Sequence, residues 1–295
     1  MLELRAITKS YAALPNVLRG ISLEIGPGVF GLLGPNGAGK STLIEILAAN
    51  LIPTSGTALL AGSCDLAKDP VAWRARLGYL PQGFDFPGQM TGREMLASVG
   101  AMRGFSPRAL RPRMEALLER ANLTEAADRY AASYSRGMKQ RLGIIIALLA
   151  DPPLLLLDEP TAGLDPVERL FFRELLSEVG SSRVVILSTH IVGDIERCCS
   201  RVAVISGGAI AFDGSPAELA QRARSMTWES PLDADASVAA VKTRRVVSLF
   251  TREGASWARM IAVEKPTPGA TLVEPGVSDG YVTLVEGATL QTDQS

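Results

Sequence analysis

"GLLGPNGAGKSTL", residues 31–43, decides how this chain folds. Gly34, Gly39, Lys40 and Ser41 follow the pattern Gly-x-x-x-x-Gly-Lys-Ser, with an apolar run, "VFGLL" (29–33), ahead of it and a helical pattern, "STLIEILAA" (41–49), behind it. That strand, loop and helix order separates a phosphate-binding loop from an ordinary glycine-rich turn. The loop Gly34, Pro35, Asn36, Gly37, Ala38, Gly39 curls so that successive backbone N–H groups converge on phosphate oxygens at the positive end of a helix. Lys40 brings a point charge to the β- and γ-phosphates, and the Ser41 hydroxyl, followed by Thr42, is a hard oxygen ligand for Mg²⁺.

Working outward, the next piece is "LLLLDEPTAGLD" (154–165). An acid at the end of a fully apolar strand emerges beside the phosphate loop, because ligands of a parallel sheet sit at the carboxyl ends of its strands. Asp158 is placed to hold Mg²⁺, and Glu159 to polarise an attacking water. A third apolar run, "VVILST" (184–189), leads to His190, the single histidine of the chain. Taken alone, a lone histidine reads more readily as a satisfied polar residue than as a chemical group.

These runs are short, rich in Val, Leu and Ile, and alternate with helical patterns, so they are expected to be buried parallel strands covered by helices on both faces. "LELRAITKSY" (2–11) and "VLRGISLEI" (17–25) alternate more loosely and suit an antiparallel sheet at the side. From Pro87 to Ala150 the spacing is helical, which reads as an inserted helical lobe. After about Gln221, "RRVVSLFTRE", "SWARMIAVEK", "ATLVEP" and "GYVTLVEG" read as short strands of an appended β-rich module, and the terminal "QTDQS" reads as frayed. The expected division is a phosphate-binding domain over 1–220, with its helical lobe near 87–150, and an accessory module over 221–295.

Composition excludes several alternatives. With 295 residues, 47% of them hydrophobic, the chain can build one large or two modest cores. A formal net charge of -1 creates no field that calls for nucleic acid as a partner. The arginines between Arg103 and Arg120 are interleaved with Glu115 and Glu119, as on a solvated helix face. Cys64, Cys198 and Cys199 form neither a disulfide framework nor a metal-ligand spacing, which suits reduced thiols. The N-terminus lacks a secretory pattern, and "LGIIIALLA" (142–150) is too short to span a bilayer.

"GPNGAGKST", "YSRGMKQR" (134–141), "LLLLDEPTAGLDP" and "STH", in this order and at these intervals, resemble the nucleotide-binding subunit of an ATP-binding cassette (ABC) transporter over about residues 2–220. The resemblance implies an α/β fold of the ABC type: a parallel core sheet, an antiparallel β subdomain and an inserted helical subdomain. It implies ATP and Mg²⁺ as cofactors. Tyr11 resembles the aromatic that stacks on adenine, and Gln82 in "YLPQ" the glutamine that joins the Mg²⁺ site to the helical lobe. Ser135 and Gly137 match the signature Leu-Ser-Gly-Gly-Gln, whereas Tyr134, Arg136 and Met138 depart from it. Arg136 restricts the backbone where the family has glycine and adds a cation beside the triphosphate. In the family, this segment meets the γ-phosphate held by a second subunit.

The same resemblance reverses the reading of His190, which matches the switch histidine that contacts the γ-phosphate and the catalytic carboxylate. Asp165 resembles the loop that reports across the dimer, and equally reads as a helix-capping acid. The implied function is ATP hydrolysis in a head-to-tail homodimer at the cytoplasmic face of the membrane, driving separate membrane-spanning permease subunits. The signature variant and the C-terminal module resemble exporters. An importer ATPase is the alternative within the family, and a soluble ABC ATPase acting on ribosomes or DNA is the alternative outside transport.

Overall fold

The computed structural model describes residues 1–232 and 245–292, with side chains at 245 and 286–292 excepted. β1 (Leu2–Lys9) and β2 (Leu18–Ile25) pair antiparallel and bury Leu2, Leu4, Ile7, Leu18, Ile21, Leu23 and Ile25. β3 (Gly28–Leu33) enters the phosphate loop, which opens α1 (Lys40–Leu47). β4 (Ser55–Leu60) and β5 (Cys64–Asp65) complete an antiparallel sheet in the order β2-β1-β4-β5. Neither β4 nor β5 is announced by a long apolar run in the sequence.

α2 (Pro70–Ala75), capped by Asp69, leads into β6 (Leu77–Leu80). The helical lobe follows: α3 (Gly92–Met102), α4 (Pro107–Arg120) and α5 (Arg136–Leu148), each entered through a hydroxyl cap, Thr91, Ser106 and Ser135. Such caps satisfy helix N–H groups that have no partner within the helix. α4 buries Leu110, Met114, Leu117 and Leu118 and turns Arg108, Arg111 and Arg120 outward, the solvated face expected of it.

β7 (Leu154–Asp158), α6 (Pro166–Gly180), β8 (Val184–Thr189), α7 (Val192–Cys198), β9 (Arg201–Ser206), β10 (Ala209–Gly214) and α8 (Pro216–Gln221) follow. The main sheet runs β10-β9-β3-β8-β7-β6, parallel throughout except for the antiparallel β10 edge. Its strands are apolar on both faces because they divide their side chains between two cores. Leu33, Leu155, Leu157, Val185, Leu187 and Val204 face the helical lobe, α6 and α7. Leu32, Leu154, Leu156, Val184, Ile186 and Ala203 face α1 and the antiparallel sheet. Leu154 to Leu157 are each 0% exposed, and burial of a leucine is worth about 1.5–3 kcal/mol.

Beyond α8, β11 (Thr227–Pro231), β12 (Arg245–Arg252), β13 (Ala255–Ile261) and β14 (Thr271–Leu272) form a sheet in the order β12-β13-β11-β14. "GYVTLVEG" is not the strand its alternation predicts. It lies in α9 (Val277–Thr292), which packs on α8 and α7 of the cassette as well as on β12 and β13. Val277 is buried in the same core as Ile195, Val202 and Leu219, so tertiary burial outweighs the β-branched and glycine-containing local sequence. The frayed end expected at "QTDQS" lies mostly outside the described residues, since only Gln291 and Thr292 belong to α9.

Candidate active site

The site is built where three parallel strands end together. β8 pairs with β3 on one side and β7 on the other, with Asp158 opposite Ser188, so the phosphate loop, the acidic pair and His190 leave one edge of the sheet as neighbours. Close packing dictates two of the loop's glycines, Gly34 and Gly39. A Cβ on Gly34 would stand 2.4 Å from the Ile205 carbonyl oxygen, and Gly39, at φ 107°, would place one 2.7 Å from Leu18. Lys40 is buried and curls back over the loop, donating from Nζ to the carbonyls of Gly34 (2.6 Å) and Pro35 (3.0 Å). Burial draws its ammonium below the ordinary lysine value, while Glu159 and Asp158 oppose that shift.

Asp158 is 4% exposed, and its Oδ1 has no hydrogen-bond partner. Burial pushes this carboxyl above the usual aspartate range, and the neighbouring Glu159 adds to the effect. A buried carboxylate oxygen left unpaired is costly unless a ligand satisfies it. Among the described residues no cluster of three or more His, Cys, Asp or Glu side chains could hold a metal. Mg²⁺ does not need one: it takes one or two protein oxygens and fills its shell with water and phosphate. Asp158 with the exposed Ser41 hydroxyl fits that donor set.

Glu159 is gripped at both carboxylate oxygens. Gln82 Nε2 donates to Oε2 at 2.8 Å and His190 Nδ1 to Oε1 at 2.8 Å. Its backbone is left-handed, φ 48°, and its N–H donates to the Ser188 carbonyl at 2.9 Å. The Glu159 side chain is 12% exposed and that of His190 49%, so the pair forms one wall of an open cavity. This cavity, about 460 Å³, is lined by Tyr11, Asn36, Gly37, Gly39, Lys40, Ser41, Thr42, Gln82, Glu159 and His190, together with Leu14 and Val17. Tyr11 is half-exposed, with Lys9 Nζ 5.1 Å from its ring centre. Leu14 and Val17, apolar neighbours of Tyr11 at the mouth, were not singled out by the sequence reading. Their only signal is their nearness to that aromatic.

Asp158, Ser135, Gly137 and Asp165 do not line this cavity, and Asp158 with Glu159 and Gln82 lines a second cavity shared with Tyr134, Arg136 and Lys139 of the same chain. Ser135 caps α5, its Oγ accepting from Met138 N at 3.1 Å. Asp165 caps α6, accepting from Glu168 N at 2.8 Å. A Cβ on Gly137 would meet the Glu168 carboxylate at 1.5 Å, so a larger residue there would have to displace that side chain. The departing residues have places as well. Tyr134 is buried in the lobe core and donates its hydroxyl to the Ala126 carbonyl at 2.7 Å, Arg136 lies exposed against Gly163, and Met138 packs on the core.

Geometry of this kind suits nucleoside triphosphate hydrolysis, and comparison with known proteins names the family. A family model described as "ABC transporter" matches residues 18–162. An ABC transporter ATP-binding protein of Bacillus subtilis (strain 168), YxlF, is 38% identical over 75% of this chain and 73% of its own length. The chain belongs to the ABC transporter ATP-binding proteins. A Nod factor export ATP-binding protein I of Paraburkholderia xenovorans (strain LB400) is 39% identical over 74% of this chain and 72% of that one. Among solved structures, an ATP-binding subunit of an ABC transporter superposes with a TM-score of 0.68 at 30% identity, over 75% of this chain and 92% of that chain. A dimeric ATP-binding cassette in a post-hydrolysis state, bound to ADP and Pi, superposes with a TM-score of 0.62 at 26% identity, over 73% of this chain and 98% of that chain. The ABC protein described here is thus an ATPase subunit of a transporter. Among the described residues no helix is long and apolar enough to cross a membrane.

Proposed function

We propose that this ABC ATPase binds ATP with Mg²⁺, closes as a homodimer around two nucleotides, and powers export through separate membrane-spanning subunits at the cytoplasmic face. One observation carries the reading: Glu159 stands beside the phosphate loop with both oxygens held, whereas Ser135 and Gly137 stand outside that cavity. A site that lacks its signature groups in one chain is completed by a second chain. Lys40 would screen the β- and γ-phosphates, Ser41 and Asp158 would hold Mg²⁺ with Gln82 beside them, and Mg²⁺ would neutralise charge on the phosphate oxygens. Glu159 would orient and deprotonate the attacking water, His190 would read the γ-phosphate, and Tyr11 would stack on the base. Asp165 would report hydrolysis across the interface. Export is favoured over import by the Nod factor export relatives.

The division into a cassette over 1–220 and an accessory module over 221–295 is part of this proposal. Light scattering tests the shared site. Glu159→Gln keeps shape and hydrogen bonding but removes the base, so an ATP-bridged dimer should accumulate. Adding Ser135→Arg should return the protein to monomers. Two variants that dimerise alike, or that both stay monomeric, would remove the signature from the site.

A further inference from the structure

The loop after β7 and the loop after β8 carry the two groups nearest the chemistry, Glu159 and His190. Among the described residues, three hydrogen bonds tie the loop after β7 to the end of β8, the loop after it and α7. Two involve Glu159 itself: its N–H to the Ser188 carbonyl, and its Oε1 to His190. The third involves neither group. Thr161 Oγ1, two residues after Glu159, donates to Asp194 Oδ2, four residues after His190, at 2.5 Å. Thr161 is 1% exposed and Asp194 6%, so the bond is sealed from water. Asp194 sits in the first turn of α7, whose N-cap, Ile191, offers no side-chain cap. A carboxylate there is placed to cap its own helix. Among the described residues, it instead accepts its hydrogen bond from the loop after β7.

We infer that Thr161 and Asp194 are a positioning pair that holds Glu159 and His190 in register, an inference that rests on the ATPase reading above. The bond between Glu159 and His190 cannot do this alone, because the Glu159 carboxylate must take a proton during water attack, and its acceptor strength changes at that moment. The left-handed Glu159, directly before Pro160, holds its conformation only if its surroundings over-determine it. Gly163, at φ 74°, bends the chain again two residues beyond Thr161. Thr161 is therefore the anchor between two bends, and its bond to α7 stays unchanged through the reaction.

Steady-state hydrolysis of Mg²⁺–ATP by the full chain tests the pair. Thr161→Val keeps the shape and removes the donor. It should lower kcat by about tenfold while KM and ATP affinity stay within about twofold, since misplacement penalises the reacting geometry rather than ground-state binding. Thr161→Ser, which restores the hydroxyl, should recover turnover to within about twofold. In a His190→Ala background the effect of Thr161→Val should shrink below about twofold, because the two groups no longer have to be aligned. Unchanged kcat, a rise in KM alone, or the full tenfold loss persisting without His190 would each overturn the inference. Should Thr161→Val fail to fold, Asp194→Ala, which removes the acceptor, supplies the second variant, with a fall in kcat at constant KM expected and no fall overturning it. If Glu159→Gln is inactive while Thr161→Val is unimpaired, the pair alone fails. If Glu159→Gln keeps full turnover, the catalytic assignment fails with it.

Discussion

Glu159 is the most constrained residue of the site. A left-handed backbone at a residue with a side chain costs about 1–3 kcal/mol, and the contacts with Ser188, Gln82 and His190 offset it. If Glu159 is the base, as proposed, loss of its His190 contact should appear in the transition state. His190→Ala is expected to reduce turnover at saturating ATP by at least about tenfold, with nucleotide affinity and melting temperature nearly unchanged. Turnover assays beside a fluorescent-nucleotide titration check this, and undiminished turnover would return the histidine to a packing role. Gly137 shows the limit of reading such residues from sequence. The motif marks it as part of an anion-binding helix end, and the structure adds that a side chain there would displace the Glu168 carboxylate from the start of α6.

At the scale of elements, α9 joins the C-terminal sheet to the cassette. Arg259 of β13 donates to Asp279 at the start of α9 (3.0 and 2.7 Å) and to Glu229 of β11 (3.2 Å), and Asp279 is buried. On its other side α9 meets α8 so closely that a Cβ on Gly280 would fall 1.8 Å from the Leu219 carbonyl oxygen. Gly280→Ala must therefore push the two helices apart, and overpacking of this kind costs about 1–3 kcal/mol. Melting temperature should fall by several degrees while ATP affinity at the phosphate loop is preserved. Differential scanning calorimetry with and without ATP reads both, and an unchanged melting temperature would contradict the observed packing. The strand expected for "GYVTLVEG" was a fair reading of its Tyr, Val and Thr content. Helix is chosen there because Val277 and Tyr281 reach the cassette core.

For the whole molecule, the question is what the ATPase drives. The net charge of -1 gives no long-range attraction to nucleic acid, whereas the relatives are ATP-binding proteins of transporters. Affinity-tagged chain expressed in its host should co-purify with a membrane-spanning protein after detergent extraction and stay in the supernatant when ribosomes are pelleted. Co-sedimentation with ribosomes, and no membrane partner, would favour the non-transport reading.

The sequence alone determined the chemistry and the layers. Phosphate binding, the acidic strand end and the hydroxyl at Ser41 are properties of a few consecutive residues, and short Val-, Leu- and Ile-rich runs that end in turns point to strands covered on both faces. It left open most of what joins distant segments. The resemblance already paired His190 with the carboxylate; the tertiary structure supplied the strand order, β8 between β3 and β7, and the 2.8 Å contact itself. Only it placed Thr161 against Asp194, and made a helix of the last segment. Local motifs encode backbone conformation and donor atoms within a few residues, whereas strand order and helix docking follow from burial summed over the whole chain, and no short stretch contains that sum.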